Sequence, residues 1–183
     1  MPSVILLNGP PGIGKSTLAR RYADEHTLCF CLDIDSIRRS IGRWQEHPAT
    51  SGELARQMAV AMIGVHVGAG HDVIVPQYLG RSDFIEELER AAAGAGVRFR
   101  EVVLMDTREN AITRFGARAR DVSLAVHHRE AAEQVGGDEG LGEMYDRLLA
   151  LLPQRPEALV ITTKAGDVAS AYRQLVEVLE GRS

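Results

Sequence analysis

A chain of 183 residues with 45% apolar and 25% charged residues has the composition of a folded globular protein, which excludes long disorder and argues against a membrane-embedded chain. Its formal net charge of -4 gives no global electrostatic footprint for long nucleic acid, so a small acceptor or a strand end is the better partner. No apolar run approaches the roughly 20 residues of a spanning helix and no signal-peptide pattern is present, so the expectation is one cytoplasmic domain over residues 1–183, without a membrane partner.

In chain order, Val4 to Leu7 is a continuous apolar run, as expected of a strand covered on both faces. A glycine-rich turn follows, then a helical pattern over Ser16 to His26. Leu28 to Ile34 reads as the second strand, carrying Cys29 and Cys31 too poorly placed for a bridge, and Ser36 to Arg43 and Gly52 to Gly68 read as helices. Met58 and Met62, at helical spacing, read as core. Val73 to Val75, Val97 to Leu104 and Leu159 to Thr162 are the remaining strands. Between and after them lie the helical patterns Asp83 to Ala95, Arg108 to Ala119, Glu139 to Leu151 and Asp167 to Glu180. The alternation predicts an α/β fold with a parallel sheet and helices on both faces.

Gly9-Pro10-Pro11-Gly12-Ile13-Gly14-Lys15-Ser16-Thr17 satisfies G-x-x-x-x-G-K-[ST] between the first strand and the first helix. Glycines there let backbone N–H groups converge on phosphate oxygens, and the helix offers its positive end to the same anion. Lys15 is expected to reach the β- and γ-phosphates and Ser16 to coordinate Mg²⁺; Asn8 and the two prolines shape the loop. A guanine-type Asn-Lys-x-Asp motif is missing, since Thr163-Lys164-Ala165-Gly166 has no carboxylate in fourth place, so ATP is expected over GTP. The third strand ends in Pro76-Gln77 instead of the acid of a mechanical ATPase.

Carboxylates appear instead in Asp33-Ile34-Asp35. An extended D-x-D places both on one face, about 6 to 7 Å apart. Asp33 then either supports the Mg²⁺ hydration shell or pairs with Lys15 or a helix end, and Asp35 accepts the acceptor hydroxyl's proton, caps the next helix, or does both. Arg38, three residues on, either holds an acceptor phosphate or is a solvated helix arginine. Gln77 is the hydrogen-bonding candidate after the third strand, with Tyr78 and Arg81 beside it. Trp44 either stacks on the acceptor or packs a helix.

These motifs resemble the small kinases of the nucleotide-kinase-like P-loop group. Asp33-Ile34-Asp35 looks like the D-x-D of shikimate kinases, and Asp35-Ser36-Ile37-Arg38 like the D-x-x-R of polynucleotide 5′-hydroxyl kinases. Chloramphenicol phosphotransferases share the loop and an Asp opening the second helix. The resemblance implies strand order 2-3-1-4-5, an acceptor pocket near the second and third helices, and adenine beside the loop after the fifth strand. It also implies a lid at about residues 114–138, with Arg114 and Arg118 on the nucleotide, Arg118 stabilising the transferring phosphoryl group and Arg120 the second choice. His127 and His128 either touch ligand or lie on the lid surface. Gln77 departs from the acid that polynucleotide kinases tend to place there. The expected activity is ATP- and Mg²⁺-dependent phosphotransfer to a hydroxyl of a small acceptor: a metabolite, nucleoside or antibiotic. A 5′-hydroxyl polynucleotide kinase and a non-catalytic ATP-binding regulatory or resistance protein are the alternatives.

Overall fold

Every residue of β1 (Ser3–Asn8) is buried, because the strand sits in the middle of a parallel sheet with helices on both faces. The computed structural model describes residues 1–120 and 137–181, without the side chains of 117–120. β1 pairs with β3 (Val73–Pro76) on one side and β4 (Arg98–Met105) on the other. The edges are β2 (Phe30–Cys31) and β5 (Leu159–Thr162), giving the order β2-β3-β1-β4-β5, all parallel.

Alternation along β1 divides the core in two. Val4 and Leu6 point to one face, where they meet α3 (Pro48–Gly68), α4 (Asp83–Gly94) and α6 (Gly137–Leu151) through Ala59, Ile63, Ile85 and Leu148. Ile5 and Leu7 point to the other, against α1 (Lys15–Glu25) and α7 (Val168–Glu180) through Leu18, Tyr22, Ala171 and Leu175. The remaining helices, α2 (Ile34–Arg39) and α5 (Arg108–Arg120), follow β2 and β4 directly. Burying each such aliphatic side chain contributes about 1.5–3 kcal/mol.

Four expectations need correction. The second strand is two residues long, not seven, because Asp33 caps α2 and turns the chain away from the sheet. The D-x-D segment is therefore not extended: Asp33 has β-region backbone angles, while Asp35 lies in the first turn of α2. Met58 and Met62 are 45% and 39% exposed, because α3 buries the stripe Ser51, Ala55, Ala59, Ile63 and Val67, whose mostly small side chains let the helix approach closely. α3 also starts four residues before Gly52, with Pro48 at a position where its missing N–H costs nothing. Among the described residues no helix is long and apolar enough to cross a membrane.

Candidate functional site

All five strands end at the same edge, so their following residues share one rim: Gly9 after β1, Asp33 near β2, Gln77 after β3, Asp106 after β4 and Thr163 after β5. A crevice at the carboxyl ends of a parallel sheet, beside the strand where the order reverses, is where such folds bind ligand.

The loop after β1 is shaped by backbone that only glycine adopts easily. Gly9, Gly12 and Gly14 have φ of 149°, 78° and 112°. A Cβ at Gly9 would lie 2.7 Å from the Leu104 carbonyl oxygen, whereas one at Gly14 would meet nothing within 4 Å. Gly14 occupies the N-cap of α1 and offers no side-chain cap, which leaves that end of the helix open to an anion. The Lys15 ammonium donates to the carbonyls of Gly9 and Pro10 at 2.7 and 2.9 Å. Ser16 and Thr17 are exposed in the first turn of α1.

Beside this loop lies a cavity of about 270 Å³, bounded by Gly12, Gly14, Thr17, Arg114 and the Thr163–Val168 loop. Arg114 reaches it from α5, held by two partners: its Nη2 lies 2.7 Å from Asp106 Oδ2, and its Nη1 donates to the Thr163 hydroxyl at 3.3 Å. The Asp106 contact is an ion pair without hydrogen-bond alignment. Asp106 Oδ1 accepts from the Thr107 N–H and the Asn110 amide, so the buried carboxylate serves three groups. The side chains of Arg118 and Arg120, and all of His127 and His128, lie outside the described residues, as does most of the segment expected to form a lid.

A second cavity, of about 170 Å³, opens between α2, α3 and the loop after β3, lined by Asp35, Arg38, Gln77, Tyr78 and Phe84 among others. Asp35 is exposed at the cleft surface yet crowded by its walls. That desolvation, then the Asp33 carboxylate, raises its pKa, against the lowering effect of Arg39, Arg38 and Lys15. Lys15 is thus near enough to act on the Asp35 charge. Asp33 is committed locally: its Oδ1 accepts from the N–H groups of Asp35 and Ser36, and its Oδ2 from the Ser36 hydroxyl. Arg38 is half-buried and held in place. It donates to Ser51 Oγ and the Pro48 carbonyl at 3.2 and 2.9 Å and lies 5.0 Å over the Trp44 ring. Gln77 Oε1 is buried without a hydrogen-bond partner among the described residues.

The two cavities are coupled through Asn8, fully buried at the end of β1, whose side chain bonds both the phosphate loop and the loop after β3. The expectation has Asn8 shaping the loop and Arg114 on the nucleotide, but neither the reach of Asn8 to Leu79 nor the anchoring of Arg114 by Asp106 and Thr163. For Asp106 a signal existed, an acid directly after an apolar strand, but on β4 and not on β3.

The AAA domain family matches residues 4–135, spanning the glycine-rich loop, strands β1 to β4 and α5. The chain belongs to the AAA domain family. A curated relative, the ATP-dependent zinc metalloprotease FtsH of Marinobacter nauticus, is 30% identical over 152 residues, 74% of this chain. The match covers 23% of that protein, so this AAA domain chain spans about a quarter of the curated relative it matches. Among solved structures, a Chloroflexus aurantiacus protein described provisionally as a kinase superimposes with a TM-score of 0.67 at 15% identity, over 100% of this chain and 98% of its own. The Deinococcus radiodurans tunicamycin resistance protein gives 0.63 at 18%, and a gluconokinase from Sinorhizobium meliloti 1021 gives 0.57 at 16%, each with the same coverage. The fold of this AAA domain family member is that of nucleotide-kinase-like P-loop proteins.

Proposed function

We propose that the protein is an ATP- and Mg²⁺-dependent phosphotransferase that moves the γ-phosphate to a hydroxyl of a small acceptor. The observation that carries the reading is the place of Asp35, on a cleft it shares with Arg38 and Gln77, at the same strand-end rim as the phosphate loop. Nucleotide fits the open N-terminus of α1, the glycine cradle and the cavity beside Arg114 and Thr163.

In the proposed reaction the acceptor hydroxyl oxygen bonds to the γ-phosphorus while its proton passes to Asp35. The bond from that phosphorus to the bridging oxygen breaks, and ADP departs with the electron pair. Backbone N–H groups of residues 12–17 and the Lys15 ammonium hold the phosphates, Arg114 borders the nucleoside, and Arg38 and Gln77 orient the acceptor. Arg118 is proposed as the lid arginine that stabilises charge on the transferring group.

Mg²⁺ would be held chiefly by the phosphates, with Ser16 Oγ as a protein ligand, and would neutralise charge on the β- and γ-oxygens. Because both Asp33 oxygens are engaged in capping α2, Asp33 suits contact through metal-bound water better than direct ligation. The free cysteines Cys29 and Cys31 accord with the cytoplasmic location we propose.

The test is incubation with Mg²⁺-ATP and a panel of nucleosides, sugars, sugar acids, antibiotics and 5′-hydroxyl oligonucleotides, following ADP release and product by mass spectrometry. Phosphorylated small acceptor, lost in Asp35→Asn, is expected. Phosphorylation of oligonucleotides alone would replace the small acceptor with a strand end, and ATP binding with no product from any compound would favour a non-catalytic regulator.

A further inference from the structure

The cleft at Asp35 does not end at Gln77. It shares Arg56, Tyr78, Leu79 and Phe84 with an adjoining cavity of about 460 Å³, whose far side carries Arg81, Glu87 and Arg147. Alone, the chamber of about 170 Å³ at Asp35 is smaller than the ~300–1,000 Å³ of a small-molecule site; joined, the two reach that range. Gly80 lines the outer chamber. A Cβ there would strike the Tyr78 hydroxyl, which donates to the Met144 carbonyl at 2.9 Å, and would lie 3.5 Å from Arg147 Cβ.

The charges around the outer chamber are unequally committed. Glu53 is neutralised by Arg56 at 2.8 Å. Asp83 stands in the first turn of α4, where the positive helix end offsets its charge. Arg147 pairs with Glu143, but both are more than half exposed, and such an i,i+4 pair is worth only about 0.3–0.5 kcal/mol. Arg81 makes no ion pair or hydrogen bond among the described residues. Two available guanidinium groups thus face two acids without an ion pair among the described residues, Glu87 and the helix-stabilised Asp83, and guanidinium groups bind carboxylate or phosphate oxygens in pairs of hydrogen bonds.

We propose that the acceptor is two-ended, with its reacting hydroxyl at Asp35 and an anionic group, a carboxylate or phosphate, held by Arg81 and Arg147 in the outer chamber. This deepens the phosphotransferase reading and rests on it. Sugar acids and hydroxylated phosphate monoesters have this form; neutral sugars and aminoglycosides do not.

The test needs no knowledge of the acceptor. Isotope-labelled protein is saturated with Mg²⁺ and a non-hydrolysable ATP analogue, then titrated separately with inorganic phosphate, acetate and methylammonium while amide and arginine side-chain NMR signals are followed. The Arg81 and Arg147 side-chain signals are expected to shift saturably with phosphate, acetate or both, the stronger arm naming the anion. The Arg81→Ala, Arg147→Ala double variant should weaken that binding at least about tenfold. Anion shifts confined to other residues, an unchanged titration in the double variant, or a larger response to methylammonium overturns the proposal. Failure of the nucleotide reading is seen separately, as absence of analogue-induced shifts at the Gly12 and Gly14 amides.

Discussion

Asn8 grips the peptide groups of Leu79 from both directions: its Oδ1 accepts the Leu79 N–H at 2.9 Å, and its Nδ2 donates to the Leu79 carbonyl at 3.0 Å. The same Oδ1 accepts the Gly9 N–H at 2.8 Å. One buried amide therefore sets the spacing between the loop that would hold the phosphates and the loop that carries Gln77 and Arg81.

Asn8→Ala leaves buried peptide groups unpaired, each costing about 1–3 kcal/mol, so a loss of about 2–4 kcal/mol in urea unfolding is expected. Asn8→Asp keeps the acceptor oxygen and loses the donor. It should fold better than Asn8→Ala, yet transfer less phosphate to acceptor per ATP consumed, because the acceptor loop is held from one side only. A transfer-to-hydrolysis ratio equal to wild type would show that Asn8 does not couple the two loops.

Asp35 titrates above the ordinary 3.8 of an aspartate, chiefly through desolvation and then through Asp33. As a base it must be ionised, so the acid limb of the kcat/KM profile should fall off at a higher pH than an unshifted aspartate gives. Asp33→Asn retains a good N-cap and removes the repelling charge, and should move that limb downward. Stability runs the other way. With the folded pKa raised, the folded state favours the protonated carboxyl, and relative stability is lost as pH rises from the unfolded pKa through the folded one. Asp35→Asn should therefore raise Tm at neutral pH while lowering transfer by about 10²–10⁴-fold.

Arg114 and Asp106 share a site from which water is largely excluded, their side chains being 15% and 5% exposed. Removing one partner of a buried pair costs about 3–5 kcal/mol, so Arg114→Ala should unfold at distinctly lower denaturant. Nucleotide affinity separates its two roles. If Arg114 also borders the nucleoside, the variant's Kd for ATP rises when measured well below its unfolding transition, and calorimetry reads that directly.

Two loop glycines differ in what a methyl group would meet. Gly9→Ala drives a Cβ against the Leu104 carbonyl and should destabilise the fold strongly. Gly14→Ala has open space and bears only the strain of its φ, about 1–3 kcal/mol. Its methyl group stands at the mouth of the α1 N-terminus, so its loss should appear mainly in nucleotide binding, measured by calorimetry beside a thermal melt.

The sequence made the phosphate loop readable because its backbone demands glycine at Gly9, Gly12 and Gly14, and the sheet readable because β1 and β3 are continuous apolar runs. The conformation of Asp33-Ile34-Asp35 was not, since an aspartate suits a strand end and an N-cap equally and only the paired N–H groups of Asp35 and Ser36 distinguish them. Arg38 gave no sign that Pro48 and Ser51 would hold it. The Asn8–Leu79 bridge joins residues 71 apart in sequence, a pairing that local pattern does not encode.

Transfer of a phosphoryl group by Asp35 is tested most directly with ATP carrying heavy oxygen in its γ-phosphate, incubated with Mg²⁺, the protein and a small-molecule cell extract, and read by mass spectrometry. An extract compound bearing the labelled phosphoryl group is expected with the wild-type protein and not with Asp35→Asn. Label recovered wholly in inorganic phosphate, or equal labelling of the compound by Asp35→Asn, would contradict it.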